Sequence, residues 1–288
     1  MSEGNKPNIS DVRTGVKGVG SFKALIKDLV PEDVLKLIPR SYDIVGDIAL
    51  INLPKEVLNY GGLVGNAILA LNKNVRAVYA VGTTVGDFRV RELTHIAGEE
   101  RTSTIHKEYG IKIYVDLKNA YFNPSLSEER RRVASRVVDG ELVLDLFAGV
   151  GPFTLHIICT KNAYVLANDL NHYATQCLRK SLELNMKVVK GVVDVVNSDA
   201  LELLNSIRGE LFDKAILNLP HKSTYYLGKT LNILKKGGIA YTYVIAETKS
   251  EALNKVLNTV KNYEVGGTLK VLDYAPRKYI FRVEIIKK

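Results

Sequence analysis

Only two cysteines occur in 288 residues, Cys159 and Cys177, and both sit in apolar, helix-like stretches. That leaves no disulfide framework and no thiolate metal centre, so both read as small hydrophobes packed in a core. No apolar run approaches about 18 residues, which excludes a membrane-spanning helix. The opening stretch, MSEGNKPNISDVRTG, is polar and lacks the apolar centre of a secretory signal, so a cytoplasmic location is expected. The five histidines (His95, His106, His156, His172 and His221) are scattered without ligand spacing, and no metal is expected.

What is present is ordinary globular composition with an uneven charge. Hydrophobic residues make up 46% and charged residues 25%, enough to bury a sizeable core. Forty Lys and Arg against 31 Asp and Glu give a net charge of +9. Residues 1–130 hold 17 basic and 16 acidic side chains, whereas 131–288 hold 23 and 15. Such an excess suits a polyanionic partner such as nucleic acid, although a lysine-rich solvated surface would carry it equally well.

Along the chain, 1–40 is expected to be a short polar and helical extension. Within it, 21–38 alternates apolar and charged positions at helical spacing, with Pro31 in the first turn of a second helix. Residues 41–125 read as a small α/β domain, with strands at 43–53, 75–81 and 111–115 and a helix near 55–72. A connecting helix covers 126–138, opened by Ser127 and with acids in its first turn. From 139 to 288, strand candidates at 142–147, 163–168, 191–197, 214–219 and 238–245 alternate with helical stretches at 153–160, 171–185, 199–207 and 223–235. That alternation predicts a doubly wound, mostly parallel α/β sheet. The tail, GTLKVLDYAPRKYIFRVEIIKK, predicts an antiparallel hairpin at the sheet edge.

The sharpest motif is Asp145-Leu-Phe-Ala-Gly-Val-Gly-Pro-Phe153, placed where the first parallel strand ends and a helix begins. Gly149 and Gly151 let a ligand approach the backbone, and free helix N–H groups can donate to it. A dinucleotide fingerprint would need a third glycine, which is missing. An acid at the strand end, Asp145, suits a ligand carrying an ammonium group. Asp169, at the end of the next strand, stands where an acid binds ribose hydroxyls, and Asp199 follows the third strand. Asn218-Leu-Pro220 ends the fourth strand; alone it reads equally well as a turn. Three polar segments lie outside this region: Phe88-Arg-Val-Arg-Glu-Leu93, His106-Lys-Glu-Tyr-Gly110 and Tyr121-Phe-Asn-Pro-Ser-Leu-Ser-Glu-Glu-Arg130. Each could be a solvated surface patch.

In order and spacing, over roughly 40–288, these segments resemble the archaeal and eukaryotic tRNA (guanine-37 N1)-methyltransferases. The resemblance implies a seven-stranded Rossmann-like sheet binding S-adenosylmethionine through Asp145, Phe147, Ala148, Gly149, Gly151, Asp169, Leu170, Asp199, Ala200 and Asn218. It implies Glu129 as general base, Arg89 at the guanine O6, Tyr121 near the target base, and Asn218 with Pro220 orienting that base. Asn123 and Ser125 depart from the family's Ser and Arg, which puts contacts from those two positions in doubt. Glu128 and Glu129 are separated only through the resemblance, since neighbours on a helix point about 100° apart. The chemistry asks for these residue types independently. Guanine N1 holds a proton at neutral pH, a carboxylate can remove it, and an arginine can stabilise the charge that develops on O6.

The resemblance also implies a tRNA anticodon stem-loop as partner, and a monomer is expected. About 40 residues precede the small domain, too few for the family's usual N-terminal module, so recognition of the tRNA's outer corner through such a module is not expected. Arg130, Arg131 and Arg132 are expected to contact the RNA backbone. Two alternatives keep the fold: an enzyme that also methylates a tricyclic wyosine precursor at position 37, and an aminocarboxypropyltransferase of the wybutosine pathway.

Overall fold

The computed structural model describes residues 21–85, 90–260 and 263–288. The chain divides into two compact units, Met1–His106 with Val115–Pro124 and Lys107–Tyr114 with Ser125–Lys288.

In the first unit, α1 (Phe22–Ile26) is capped by the Ser21 hydroxyl, which accepts the Lys23 N–H at 3.3 Å. Pro31 stands at the N-cap of α2 (Glu32–Leu37), one position before the expected first turn. The stretch 43–53, expected as one strand, is a hairpin of β1 (Asp43–Val45) and β2 (Ile48–Ile51). Its turn is pinned from outside: the Gly46 N–H donates to His106 Nδ1 at 3.1 Å, and the Asp47 carboxylate accepts from Thr104 Oγ1 at 2.7 Å. Contacts made about 57 residues away are invisible to a local reading of strand propensity. A 3-10 turn (Lys55–Tyr60) leads into α3 (Gly61–Leu71), and β3 (Ala77–Val85) and β4 (Val90–Gly98) complete a sheet in the order β1-β2-β3-β4. Phe22, Ile26, Ile51, Val64, Ile68 and Val78 pack between the helices and that sheet. A second hairpin, β5 (Ser103–Glu108) and β6 (Ile111–Asp116), forms a separate two-stranded sheet.

The second unit begins its main run with α4 (Ser127–Ser135). Leu126 occupies the N-cap, so no side chain caps the helix, but Glu128 and Glu129 in the first turn complement its dipole. Then follow β7 (Leu142–Asp145), α5 (Pro152–Thr160), β8 (Tyr164–Asn168), α6 (His172–Asn185), β9 (Val192–Val196), α7 (Ala200–Ser206), β10 (Phe212–Leu217), α8 (Ser223–Ile233), β11 (Leu234–Ala246), α9 (Lys249–Leu257), β12 (Tyr263–Ala275) and β13 (Lys278–Lys287). The seven strands lie in the order β12-β13-β11-β10-β7-β8-β9. β7 to β11 run parallel, and β13 is antiparallel to both β11 and β12. The doubly wound sheet with its antiparallel edge is therefore as expected. Burial on both faces explains why its central strands read as apolar runs rather than as alternation. Helix α9 escaped the sequence reading because Ala252 and Val256 are its only fully buried residues, a stripe too thin to show periodicity.

Cys159 and Cys177 are both buried. No described helix is long and apolar enough to cross a membrane.

Candidate active site

Strand order reverses around β7, which lies between β8 and β10. In such sheets the ligand crevice opens beyond the carboxyl ends of the strands at that reversal. Asp145 ends β7 and pairs in register with Ile216 of β10 and Ala167 of β8. Asn218 and Asp169 each follow two residues beyond those partners, so the topology gathers the three sequence-predicted positions at one edge.

The glycine loop between β7 and α5 is built to tight tolerances. Gly151 is the N-cap of α5 in a left-handed conformation, φ 79°, and a Cβ there would stand 2.2 Å from Leu178 Cδ1. Gly149, with φ 57°, is the opposite case: nothing lies within 4 Å of where its Cβ would project. The Gly149 N–H donates to Asp169 Oδ2 at 2.7 Å, and Asp169 Oδ1 accepts from the Asn171 N–H at 2.8 Å. Asn168, fully buried, donates from Nδ2 to the Leu146 carbonyl and accepts the Ser198 N–H on Oδ1. It thereby ties together the loops after β7 and β9. Nothing in the sequence singled it out beyond its place at a strand end.

Asp145 is completely buried; its Oδ2 accepts from Thr154 Oγ1 at 2.8 Å, while Oδ1 has no hydrogen-bond partner among the described residues. Burial pushes its carboxyl up to about 7, with the charge of Asp169 adding to the effect and hydrogen bonds from Thr154 opposing it. In the unfolded chain the same group titrates near 4, to order of magnitude. The folded state therefore keeps a proton that the unfolded state loses between about pH 4 and pH 7, and stability declines across that window. Asp145→Asn is expected to raise the thermal midpoint at pH 8 by more than at pH 4. The same difference at both pH values would show that Asp145 is ionised in the folded protein throughout.

The other predicted cofactor positions are placed as follows. Asp199 caps α7, its Oδ1 accepting the Leu201 and Glu202 N–H groups at 2.7 and 3.2 Å. Ala148 and Ala200 are buried, and Phe147 meets Tyr226 edge-on at 5.0 Å. Leu170 is exposed beside Asp169. Asn218, Leu219 and Pro220 are half-buried, and the Leu219 carbonyl accepts the Lys222 and Ser223 N–H groups, turning the chain into α8.

Glu128 and Glu129 diverge as their helical spacing requires. Glu128 is exposed and is drawn down to about 2, mainly by hydrogen bonds from Arg131 and then from the Tyr109 hydroxyl. Glu129 is buried. Its Oε1 accepts from Tyr243 Oη at 2.8 Å and from Arg282 Nη1, and its Oε2 accepts from Arg132 Nη1 at 3.3 Å. Burial, and next the negative charge of Glu129, push the Tyr243 phenol well above its usual range, so it stays a donor. Tyr243 connects the site in two further ways. Its ring lies 5.8 Å from Phe153, which follows the glycine loop, and its carbonyl accepts from Ser223 Oγ at 2.5 Å, just after the Asn218–Pro220 turn. Sequence reasoning missed Tyr243 and Arg282; polar residues inside two apolar strands were the available signal.

The remaining expectations are placed as follows. Tyr121 belongs to the first unit, half-buried, with the Arg91 guanidinium 5.7 Å from its ring centre. Arg89 lies outside the described residues. Arg131 is exposed and Arg132 half-exposed, but Arg130 is not a surface cation: it is 2% exposed and ion-paired with Glu108, which also meets His156 Nε2 at 2.9 Å. An expected RNA-backbone contact from Arg130 is therefore withdrawn.

A seven-stranded sheet of this order, with a glycine loop after its first strand and acids after the next two, defines a Rossmann-like methyltransferase fold. A family model described as the TRM5/TYW2 methyltransferase domain matches residues 104–271, and one described as the TYW2 N-terminal domain matches 22–102. The chain is 35% identical to the tRNA (guanine(37)-N(1))-methyltransferase Trm5b of Pyrococcus abyssi, with 92% of this chain and 79% of that protein covered. It is 30% identical to the tRNA 4-demethylwyosine(37)-methyltransferase Taw21 of Saccharolobus solfataricus, with 92% and 99% covered. A solved complex of aTrm5 with tRNALeu superposes with a TM-score of 0.82 at 31% identity, with 95% and 80% covered. The chain belongs to the TRM5/TYW2 methyltransferase family.

Proposed function

We propose that the chain transfers a methyl group from S-adenosylmethionine to N1 of guanosine 37 in tRNA. The observation that carries the reading is the placement of Glu129. One buried tyrosine, Tyr243, ties this carboxylate to the glycine loop through Phe153 and to the Asn218–Pro220 turn through Ser223. The relatives named for guanine-37 methylation and the neighbour solved with tRNALeu support the substrate.

The residues at the strand ends fit the cofactor. Asp145 offers a carboxylate oxygen with no partner, suited to an ammonium group, and Gly149 leaves open space where a side chain would stand. Asp169 suits the ribose hydroxyls, and Leu170, an exposed apolar residue beside it, would suit the adenine. When bound, S-adenosylmethionine supplies an electrophilic methyl group on a sulfonium. Glu129 accepts the N1 proton as the methyl group is received, and negative charge shifts toward the guanine O6, where Arg89 is assigned. Of the two Glu129 oxygens, Oε2 is the one released to the substrate. Among the described residues its sole hydrogen bond comes from the half-exposed Arg132 at 3.3 Å, a contact of about 0–1 kcal/mol, whereas Oε1 is held by two buried donors. Asn218 orients the base with its side-chain amide, and the family resemblance assigns Tyr121 a role toward the same base.

A second reading keeps the site and enlarges the base. The 4-demethylwyosine methyltransferase is matched over 99% of its length, against 79% for the guanine-37 enzyme. Nucleoside mass spectrometry separates the readings, using transcripts with guanosine or adenosine at position 37 and tRNA carrying the tricyclic precursor. N1-methylguanosine formed only on the guanosine transcript is expected. Methylation of the tricycle as well would make the enzyme bifunctional, and an aminocarboxypropyl mass increment would overturn methyl transfer.

A further inference from the structure

We propose that a cleft on the hairpin side of the second unit receives the nucleotide adjacent to the one being methylated, its base stacked on Tyr274 and its phosphate held by Lys278. The inference rests on the tRNA reading above. The cleft is half-open, has a volume of about 540 Å3 and is floored by the end of β11. That size is ample for one nucleotide-scale ligand. Pro220 and His221 line it together with Tyr274 and Lys278 from the tip of the β12–β13 hairpin. Pro220 thus belongs both to the turn assigned to the target base and to this cleft, so an occupant of the cleft is the target's neighbour.

Three features suit the hairpin side of the cleft to contact. Tyr274 is the extra residue of a β-bulge, falling where the β12–β13 register shifts between Asp273 and Ala275. Bulges re-aim a side chain out of the regular pleat. Its hydroxyl lies 3.1 Å from His221 Nε2, with the rings edge-on at 5.6 Å, while the side chain stays 40% exposed. A partly open aromatic ring, held at its edge, leaves a face on which a base can stack. The tip itself is Pro276-Arg277, with Arg277 at φ 60° where a glycine would be unstrained.

The charges also sort. Lys255 on the cleft is consumed by Glu251 at 2.6 Å and the Ile245 carbonyl at 2.8 Å. Lys278 is exposed and, among the described residues, forms no ion pair, so its charge remains available to a phosphate. Glu247 supplies an acceptor suited to an exocyclic amino group.

The test pairs variants with altered RNA. Anticodon stem-loops with guanosine at 37, intact or abasic at position 36 or 38, are measured for binding by fluorescence anisotropy and for N1-methylation. With intact RNA, Tyr274→Ala should weaken binding and raise KM roughly five- to a hundredfold with kcat within about twofold, while Tyr274→Phe stays near wild type. Lys278→Ala should weaken binding and reduce its salt dependence. One of the two abasic RNAs should bind the wild type more weakly yet bind Tyr274→Ala no worse than intact RNA does. Unchanged binding in Tyr274→Ala, or abasic and side-chain losses that simply add, would overturn the proposal. Binding without methylation of guanosine 37 by the wild type would instead overturn the functional reading.

Discussion

Glu129→Gln is expected to lower single-turnover methyl transfer by about 10²–10⁴-fold while leaving the dissociation constant for S-adenosylmethionine unchanged. Glutamine preserves the shape of the carboxylate and can still accept from the Tyr243 hydroxyl, but it cannot take the N1 proton. The cofactor residues at the ends of β7 and β8 make none of the contacts described for Glu129, so cofactor affinity has no reason to move. The competing possibility is concrete: Glu129 is buried between Arg282, Tyr243 and Arg132, and such a carboxylate can be purely structural. A variant that methylates at the wild-type rate would assign it that role. Single-turnover assays with excess enzyme, combined with isothermal titration of the cofactor, separate the outcomes.

Arg282→Met is expected to cost about 3–5 kcal/mol of stability. Arg282 is 3% exposed and joins two buried carboxylates, Glu129 through Nη1 and Glu284 through Nη2 at 2.8 Å. Arg136 also reaches Glu284, but from a half-exposed position. Methionine fills similar volume along β13, so the loss reflects the charge of Glu129 left without its buried cation. For a chain of this size, the thermal midpoint should fall by roughly 6–20 °C. Adding Glu129→Gln to Arg282→Met should recover part of that loss, because it removes the charge that Arg282 neutralised. A fall of less than about 2 °C, or losses that merely add, would mean that the two side chains are not energetically coupled.

Local information was sufficient for the parallel sheet. Strands such as 142–147 and 214–219 are buried on both faces and separated by amphipathic helices, so hydrophobic period alone reveals them. The loop after β7 was equally legible, because glycines at 149 and 151 between an apolar strand and a helix start mark a tight turn in the local sequence alone. The family resemblance came from short segments at fixed spacing and needed no tertiary information. Other features were decided only when distant segments met. Thr104 and His106 divide 43–53 into a hairpin, and Glu108 draws Arg130 inside, away from any surface role. The pairing of β11 with β13 sets Tyr243 opposite Arg282, and α4 delivers Glu129 to both. The slip in the β12–β13 register turns Tyr274 toward His221. Sequence period records which residues prefer to leave water; which buried acid meets which buried base depends on strand order and register, set by the whole sheet at once.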